Sequence, residues 1–175
     1  ELPIVAMEPA LKPAMALTRS GVIGVLATSR TLTSDKFEAL RGRFDGHARV
    51  LVQPCPGLVE RIEAGDLAGE STRALIADYV LPLIARGADT LVLGCTHYPL
   101  VRGLIQDIAG ADVAIADAGA AVAHQLRVRL QQNQVLSTRD EAGTEQFWSS
   151  GEPDKARAMI GAFWQPPVLV QQLPR

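Results

Sequence analysis

The sequence predicts an α/β protein of three layers, in which a parallel β-sheet is flanked by helices on both faces. Short apolar runs recur along the chain without alternating polar residues, which is typical of strands that are buried on both sides. Segments with helical periodicity separate these runs, and such an alternation indicates βαβ units with right-handed crossovers. Polar residues gather where the runs end, at the edge of the sheet where open α/β proteins bind their ligands.

The predicted elements follow one another in a regular order. Five apolar runs are predicted to be strands: Ile4–Met7, Val22–Ala27, Val50–Val52, Leu91–Leu93 and Val113–Ala116. Four segments have helical periodicity: Ser34–Leu40, Leu58–Ala64 after Pro56-Gly57, Thr72–Ile84 and Ala120–Leu130. A polar break at Gln131–Gln134 precedes the C-terminal portion, where a last helix is predicted over Asp154–Phe163.

The composition restricts the classes of function. The 175 residues include 17 Lys and Arg against 19 Asp and Glu, which gives a net charge of −2. The positive residues are scattered and aromatic residues are few, so we expect no nucleic-acid partner. No apolar run approaches the roughly 18 residues that cross a bilayer, and no signal peptide is visible, so we expect no membrane partner.

The two cysteines of the chain, Cys55 and Cys95, cannot form a disulfide framework and do not have the spacing of metal ligands. We therefore expect no metal site, and reduced thiols in a cytoplasmic protein. Cys55 lies between two prolines, which indicates packing in a rigid turn, and we assign it no catalytic role. His47 and His124 are predicted to be surface residues.

Cys95 is the candidate reactive group. The predicted strand Leu91–Leu93 is followed by Gly94 and Cys95, and a predicted helix then opens with Thr96, His97, Tyr98 and Pro99. This order places the thiol at the carboxyl end of a strand and at the positive end of a helix dipole. Thiolates are stabilised in such positions, so we expect Cys95 to react at neutral pH.

Two chemical roles are open for this thiol. As a nucleophile, Cys95 requires a base and an oxyanion site; His97 is a candidate base, but the local sequence offers no obvious Asn or Asp to orient it. As a general base, the Cys95 thiolate would remove a proton from carbon while neighbouring N–H and hydroxyl groups bind a carboxylate. A buried structural cysteine is the third alternative, which the adjoining polar residues disfavour.

Three further side chains are candidates for binding. Thr28 and Thr31 lie three residues apart just after the strand Val22–Ala27, where their hydroxyls can hold a carboxylate, although ordinary helix capping explains one of them equally well. Glu63 lies near the end of the helix that begins at Leu58. Its carboxylate can receive an ammonium group or orient a histidine, whereas a solvated helix face is the simpler explanation.

Taken together, the sequence closely resembles the glutamate racemase family, one of the aspartate/glutamate racemases. The matching stretches are Glu8–Pro13, Gly24–Thr28, Gln53–Glu60, Gly87–Thr90, Leu91–Leu100 and Asp117–Ala123. The string Gly-Cys-Thr-His-Tyr-Pro at residues 94–99 is the most specific of these. The resemblance runs from residue 2 to about residue 130, and Gln146–Gly151 is similar to the family's C-terminal pattern.

This resemblance implies a cofactor-independent isomerase that interconverts L- and D-glutamate and supplies D-glutamate for peptidoglycan, and hence for cell-wall biogenesis and cell shape. It implies two cysteine bases, one on each side of the substrate α-carbon. Cys95 matches the base that acts on L-glutamate, and His97 matches a residue that assists the thiol and contributes to the substrate site.

The resemblance also implies roles for the other candidates. Thr96 matches a residue that binds the substrate, and Thr28 and Thr31 match residues around its carboxylate. Glu63, rather than Glu60, matches a carboxylate near the active site, because it stands just before Ala64-Gly65. Glutamate is therefore the expected small-molecule partner.

Two features of the family do not occur in this sequence: the early Asp-Ser pair and the first catalytic cysteine in its Cys-Asn-Thr setting. We therefore expect residues 9–115 to form the second α/β domain, which carries the second catalytic cysteine. Residues 1–8 and 116–175 are expected to be remnants of the first α/β domain, whose N-terminal part is absent. That missing domain would complete the site, so the chain alone is not expected to racemise; homodimer formation stays open.

Two alternatives from other functional classes remain at this point. One is a Cys-dependent hydrolase or decarboxylase on a related fold, because a site with one cysteine permits it. The other is a non-catalytic module, in which Thr28 and Thr31 need only hold an anion.

Overall fold

A four-stranded parallel sheet forms the centre of the molecule. The computed structural model describes residues 2–161, 163–164 and 167–174. The strands of the sheet are β1 (Val22–Ala27), β2 (Arg49–Pro54), β3 (Thr90–Leu93) and β4 (Ala114–Ala116), in the spatial order β2-β1-β3-β4. All three strand pairings are parallel. The predicted α/β fold with a parallel sheet is confirmed.

Helices connect the strands and cover the sheet. They are α1 (Leu11–Leu17), α2 (Ser29–Leu32), α3 (Asp35–Gly42), α4 (Leu58–Glu63), α5 (Glu70–Ala85), α6 (Arg102–Ala109), α7 (Gly119–Gln132) and α8 (Pro153–Gly161). A 3₁₀ helix, Tyr98–Val101, immediately precedes α6. Two short strands, β5 (Phe147–Ser149) and β6 (Val170–Gln172), pair in parallel as a separate sheet.

The core consists of two layers, one on each face of the main sheet. Alternate strand residues point to opposite faces, so Leu91 and Leu93 of β3 join a cluster with α4, α5 and α6, while Val92 joins one with α1 and α3. The exposed fractions of Leu91 and Val92 are both 0%. Burial on both sides explains why the strands are continuous apolar runs.

Most of the predicted elements occur within one to three residues of their observed bounds, but the predicted strand Ile4–Met7 is wrong. Residues 2–9 form no ladder with any described strand, and Ile4 is 95% exposed. A strand needs a neighbour to satisfy its N–H and C=O groups, and an apolar run does not show whether one is present. The last predicted helix ends at Gly161 in α8; residue 162 lies outside the described residues.

The helix predicted directly after Cys95 is also wrong in its position. Residues 95–97 form a bend and a turn, the 3₁₀ helix follows, and α6 begins only at Arg102. The Tyr98 N–H donates to the Cys95 carbonyl, three residues back, which sets the tighter 3₁₀ geometry. Cys95 therefore does not lie at the N-terminus of an α-helix.

The order of the strands creates a crevice between β1 and β3. The chain passes from β1 outward to β2 and then crosses back over β1 to β3, so the direction of winding reverses between these two central strands. At such a reversal the following loops diverge, and open α/β proteins bind ligands in the gap at the carboxyl ends of the strands. The fold thus places the ends of β1 and β3 at the natural position for a site.

Asp89 stabilises the opposite, amino-terminal edge of the same strands. Its carboxylate accepts hydrogen bonds from the Thr18 hydroxyl at 2.6 Å, the Arg19 N–H at 2.8 Å and the Ser20 N–H at 2.7 Å. Partial burial acts to raise the pKa of the Asp89 carboxyl, but these hydrogen bonds outweigh it and hold the pKa well below its usual range. The carboxylate thereby joins the loop between α1 and β1 to the start of β3.

We expect Asp89→Asn to lower the free energy of unfolding by about 1–3 kcal/mol at neutral pH. The N–H₂ group of asparagine cannot accept hydrogen bonds, so it would face O–H and N–H donors that in the native protein bond to a charged carboxylate oxygen. Because the pKa is lowered in the folded state, the stabilisation is full above the unfolded value of about 4 and is lost as the pH falls below it. Urea unfolding of both proteins at pH 7 and pH 3 measures this. An equal difference at the two pH values would contradict it.

Candidate functional site

A cleft of about 270 Å³ lies at the carboxyl ends of β1 and β3. Its walls come from four parts of the chain: Met7–Pro9, Thr28 and Thr31 after β1, the segment Leu93–Thr96 after β3, and Ala118 after β4. The segments that follow β1, β3 and β4 therefore meet here, and the segment after β2 does not line the cleft. The volume suits a small metabolite.

Gly94 allows β1 and β3 to approach each other at this point. Its N–H donates to the Leu26 carbonyl at 2.8 Å. A Cβ atom on residue 94 would stand 2.9 Å from that carbonyl oxygen and 3.0 Å from the Cβ of Ala27. Only glycine fits without movement of backbone, so Gly94 fixes the position from which Cys95 enters the cleft.

Thr28 and Thr31 are in contact on the β1 side of the cleft. Their Oγ1 atoms are 2.9 Å apart, and the Thr31 N–H donates to the Thr28 Oγ1 at 3.3 Å, so Thr28 caps the short helix α2. Both residues still line the cleft. The capping contact expected from the sequence is present, and it places the two hydroxyls side by side where an anion can contact both.

Cys95, His97 and Glu63 form a chain of contacts on the β3 side. The Cys95 Sγ lies 3.8 Å from the His97 Nδ1, and the His97 Nε2 lies 3.2 Å from the Glu63 Oε1. Glu63 is at the end of α4, 34 residues away in the sequence from His97, and its side chain is 54% exposed. The structure therefore brings together all three residues predicted to be catalytic.

This arrangement permits proton transfer to and from the thiol. With its proton on Nε2 and donated to Glu63, the His97 ring presents Nδ1 to Cys95 as an acceptor. An imidazolium formed by transfer from the thiol would be paired with the Glu63 carboxylate. The His97–Glu63 contact thus holds the imidazole beside the Cys95 thiol, in the manner of a base held by its orienting carboxylate.

The second cysteine of the chain does not share this cleft. Cys55 is 2% exposed, and its Sγ donates to the Gln53 carbonyl at 3.4 Å. Burial raises the pKa of the Cys55 thiol to about 12, so the thiol stays protonated at neutral pH. His47 and His124, predicted to be surface residues, are exposed. Cys95 is therefore the one thiol of the chain that is available at the cleft.

Sequence reasoning missed Glu8 and its neighbours in the cleft wall. Met7–Pro9 precede α1 and line the cleft together with Thr28 and Cys95. The sequence pattern predicts a strand over Ile4–Met7 and a family-like stretch over Glu8–Pro13, but it does not link these residues to the ends of the other strands. A larger cavity of about 510 Å³ between the end of α4 and α8 shares only Glu63 with the site and holds no thiol, so it does not fit the chemistry.

The described residues contain no group of three or more His, Cys, Asp and Glu side chains placed to hold a metal ion. No helix among them is both long enough and apolar enough to cross a membrane.

Comparison with known proteins identifies the family. A family model described as Asp/Glu/Hydantoin racemase matches residues 2–126. The glutamate racemase of Stutzerimonas stutzeri is 50% identical over 174 residues, a match that covers 99% of this chain and 65% of that protein. The chain thus spans just under two thirds of the length of this relative.

Solved structures share the fold. The crystal structure of a glutamate racemase from Bacillus anthracis superposes with a TM-score of 0.79 at 27% identity, covering 93% of this chain and 61% of that one. That of the Escherichia coli glutamate racemase, in complex with L-glutamate and an activator, superposes with a TM-score of 0.79 at 23% identity, covering 97% and 64%. This chain belongs to the Asp/Glu/Hydantoin racemase family.

Proposed function

We propose that the chain supplies one of the two bases of a cofactor-independent glutamate racemase. The observation that carries the proposal is the position of the Cys95 thiol in the cleft, 3.8 Å from a histidine that contacts the Glu63 carboxylate at 3.2 Å. The names of the relatives and the L-glutamate bound in the Escherichia coli structure support the choice of substrate.

In the proposed reaction the Cys95 thiolate removes the α-proton of L-glutamate. The C–H bond breaks, its electron pair remains on the α-carbon next to the carboxylate, and the proton moves to sulfur. A second acid on the opposite face delivers a proton to the carbanion and gives D-glutamate. In the reverse direction the Cys95 thiol is the donor, so His97 and Glu63 serve to keep its proton exchangeable.

The hydroxyls of the cleft are proposed to bind the substrate. Thr28 and Thr31 lie close enough together for both to donate to one carboxylate, and Thr96 is adjacent to the thiol. A carboxylate held by several donors is also a better electron acceptor when the α-proton leaves, because the developing negative charge spreads onto its oxygens. His97 does not line the cleft, so its proposed contribution to the substrate site is made through the Cys95 thiol that it contacts.

The second base is proposed to come from outside the 175 residues, because Cys55 is buried and no other thiol is available. In this proposal residues 9–115 form the second domain, while 1–8 and 116–175 belong with a first domain that supplies the other cysteine. The product would be D-glutamate for peptidoglycan in the cytoplasm. The chain alone would then be inactive as a racemase.

The proposal is tested with a fusion, called here the completed enzyme, in which the chain is joined to the part of the Stutzerimonas stutzeri relative that it does not match. We expect the completed enzyme to interconvert L- and D-glutamate, as followed by circular dichroism, and the 175-residue chain not to. Turnover by the chain alone would refute the assignment of one base. Release of ammonia or carbon dioxide would indicate a hydrolase or decarboxylase instead.

We expect Glu63→Gln to lower kcat of the completed enzyme about tenfold, by analogy with the roughly 10–100-fold losses that follow removal of the group that orients a metal-bound histidine. The amide cannot pair with an imidazolium, so the proton on Cys95 becomes harder to exchange. Glu60→Gln, one turn earlier on α4, is the matched control and should leave kcat within about twofold. Equal losses for the two variants would contradict the role of Glu63.

A further inference from the structure

A second cavity adjoins the cleft of Cys95. It has a volume of about 330 Å³ and shares five wall residues with the cleft, namely Met7, Glu8, Pro9, Thr28 and Thr31. Its remaining walls come from α2 and α3 and include Arg30, Ser34 and Lys36. Because the walls are shared, a charge in this cavity acts directly on a molecule that enters the cleft.

Two cationic side chains that line this cavity are unpaired within the described part of the chain. Arg30 and Lys36 are exposed, and neither forms an ion pair or a side-chain hydrogen bond with any residue in the described part of the chain. Among the described residues, Glu8 is the single acidic residue that lines either cavity. The second cavity therefore has a net positive lining, whereas the chain as a whole has a net charge of −2.

We propose that Arg30 and Lys36 determine specificity for anionic substrates by attracting a carboxylate along the second cavity toward Cys95. The attraction follows from the position of two unpaired cations beside a small cleft, in a protein whose net charge is otherwise weakly negative. That the carboxylate belongs to a dicarboxylic amino acid rests on the proposed function, but the attraction itself does not.

The expected size of the effect follows from Coulomb's law. A unit charge about 10 Å from the reacting group, acting through water, changes the local concentration of an anion about twofold, and more where protein excludes water. The effect should fall steeply with ionic strength, because the Debye length is about 10 Å at 0.1 M salt.

The inference can be tested on the 175-residue chain itself with two small alkylating agents. Iodoacetate carries a carboxylate and iodoacetamide does not, and both react with a thiolate by displacement of iodide from carbon. The ratio of their rates at Cys95 reports attraction of an anion and cancels the intrinsic reactivity of the thiol. Cys55 is 2% exposed and stays protonated, and Cys95→Ser shows that the signal comes from Cys95.

We expect Arg30→Gln and Lys36→Gln each to lower the iodoacetate-to-iodoacetamide ratio about two- to threefold at low salt, and the double variant to lower it further. Arg30→Lys should keep the ratio, since it keeps the charge. Arg129→Gln, in the last turn of α7, changes the net charge equally and is the control. A ratio that is unchanged in the double variant, or lowered equally by Arg129→Gln, would overturn the inference.

This result is independent of racemisation. If the ratio falls as expected and the completed enzyme does not act on glutamate, the anion attraction stands and the proposed function fails. If the completed enzyme racemises and the ratio does not depend on Arg30 or Lys36, the proposed function stands and this inference fails.

Discussion

Replacing Cys95 with alanine in the completed enzyme is expected to lower the rate of racemisation by about 10²–10⁴-fold, the contribution of a positioned acid–base group. The reason is geometric, because inversion needs a proton donor or acceptor on each face of the α-carbon. His97 cannot take over, since it does not line the cleft and is held by Glu63 at 3.2 Å. Optical assays with each enantiomer measure the loss.

Cys55→Ala is the matched control for this substitution, because it removes the other thiol of the chain from a buried position. The Cys55 variant should unfold more easily but keep its kcat while folded. Normal racemisation by the Cys95 variant, or equal losses in both variants, would refute the assignment of Cys95 as a base.

Gly94→Ala is expected to have the second largest effect. The new methyl group would stand 2.9 Å from the Leu26 carbonyl oxygen, which is backbone and cannot rotate away, so β1 and β3 must separate. Such overpacking costs about 1–3 kcal/mol of unfolding free energy. It also displaces Cys95, and a shift of about 1 Å at a reacting group lowers kcat about 10²-fold.

Gly103→Ala provides the control for this prediction. Gly103 lies in α6, and a Cβ atom there would meet no atom within 4 Å. The substitution should be neutral or should stabilise the protein, because alanine favours a helix more than glycine does. Urea unfolding and kcat of both variants decide the matter, and a Gly94→Ala protein with normal stability and kcat would show that the strand ends are not tightly packed.

Much of the sheet could be predicted from the sequence because its strands are buried on both faces. The bounds of Val22–Ala27 are those predicted, and Leu91–Leu93 lies within Thr90–Leu93. Apolar runs of this kind depend on local composition alone. The order of the strands cannot be predicted in this way, because it depends on which strands pair with each other. The strand at Ile4–Met7 is predicted wrongly for the same reason, since an apolar run does not show whether it has a partner.

The candidate site was predictable in part for a similar reason. Cys95, Thr96 and His97 are adjacent in the sequence, so a strand end places them together without any knowledge of the fold. Glu63 is far away in the sequence; its place near the end of a predicted helix makes it a candidate, and the resemblance to a family selects it over Glu60. Its contact with His97 at 3.2 Å depends on how the end of α4 packs beside the turn after β3.

Neither the local sequence pattern nor the resemblance to a family predicts that Glu8 lines the cleft. The same is true of the unpaired cations of α2 and α3. No local pattern distinguishes Arg30 from any other exposed arginine. Its significance comes from the cavity that it shares with Thr28 and Thr31 and from the lack of an ion pair with any described residue.

Exchange of the α-proton of glutamate in deuterated water tests the central claim most directly, that Cys95 is a carbon-acid base on one face of the substrate. The measurement uses the completed enzyme with every cysteine of the added part changed to alanine. We predict that L-glutamate gains one deuterium without inversion, and that D-glutamate does not exchange. Deuterium incorporation that persists after Cys95→Ala, or that occurs equally in both enantiomers, would contradict the claim.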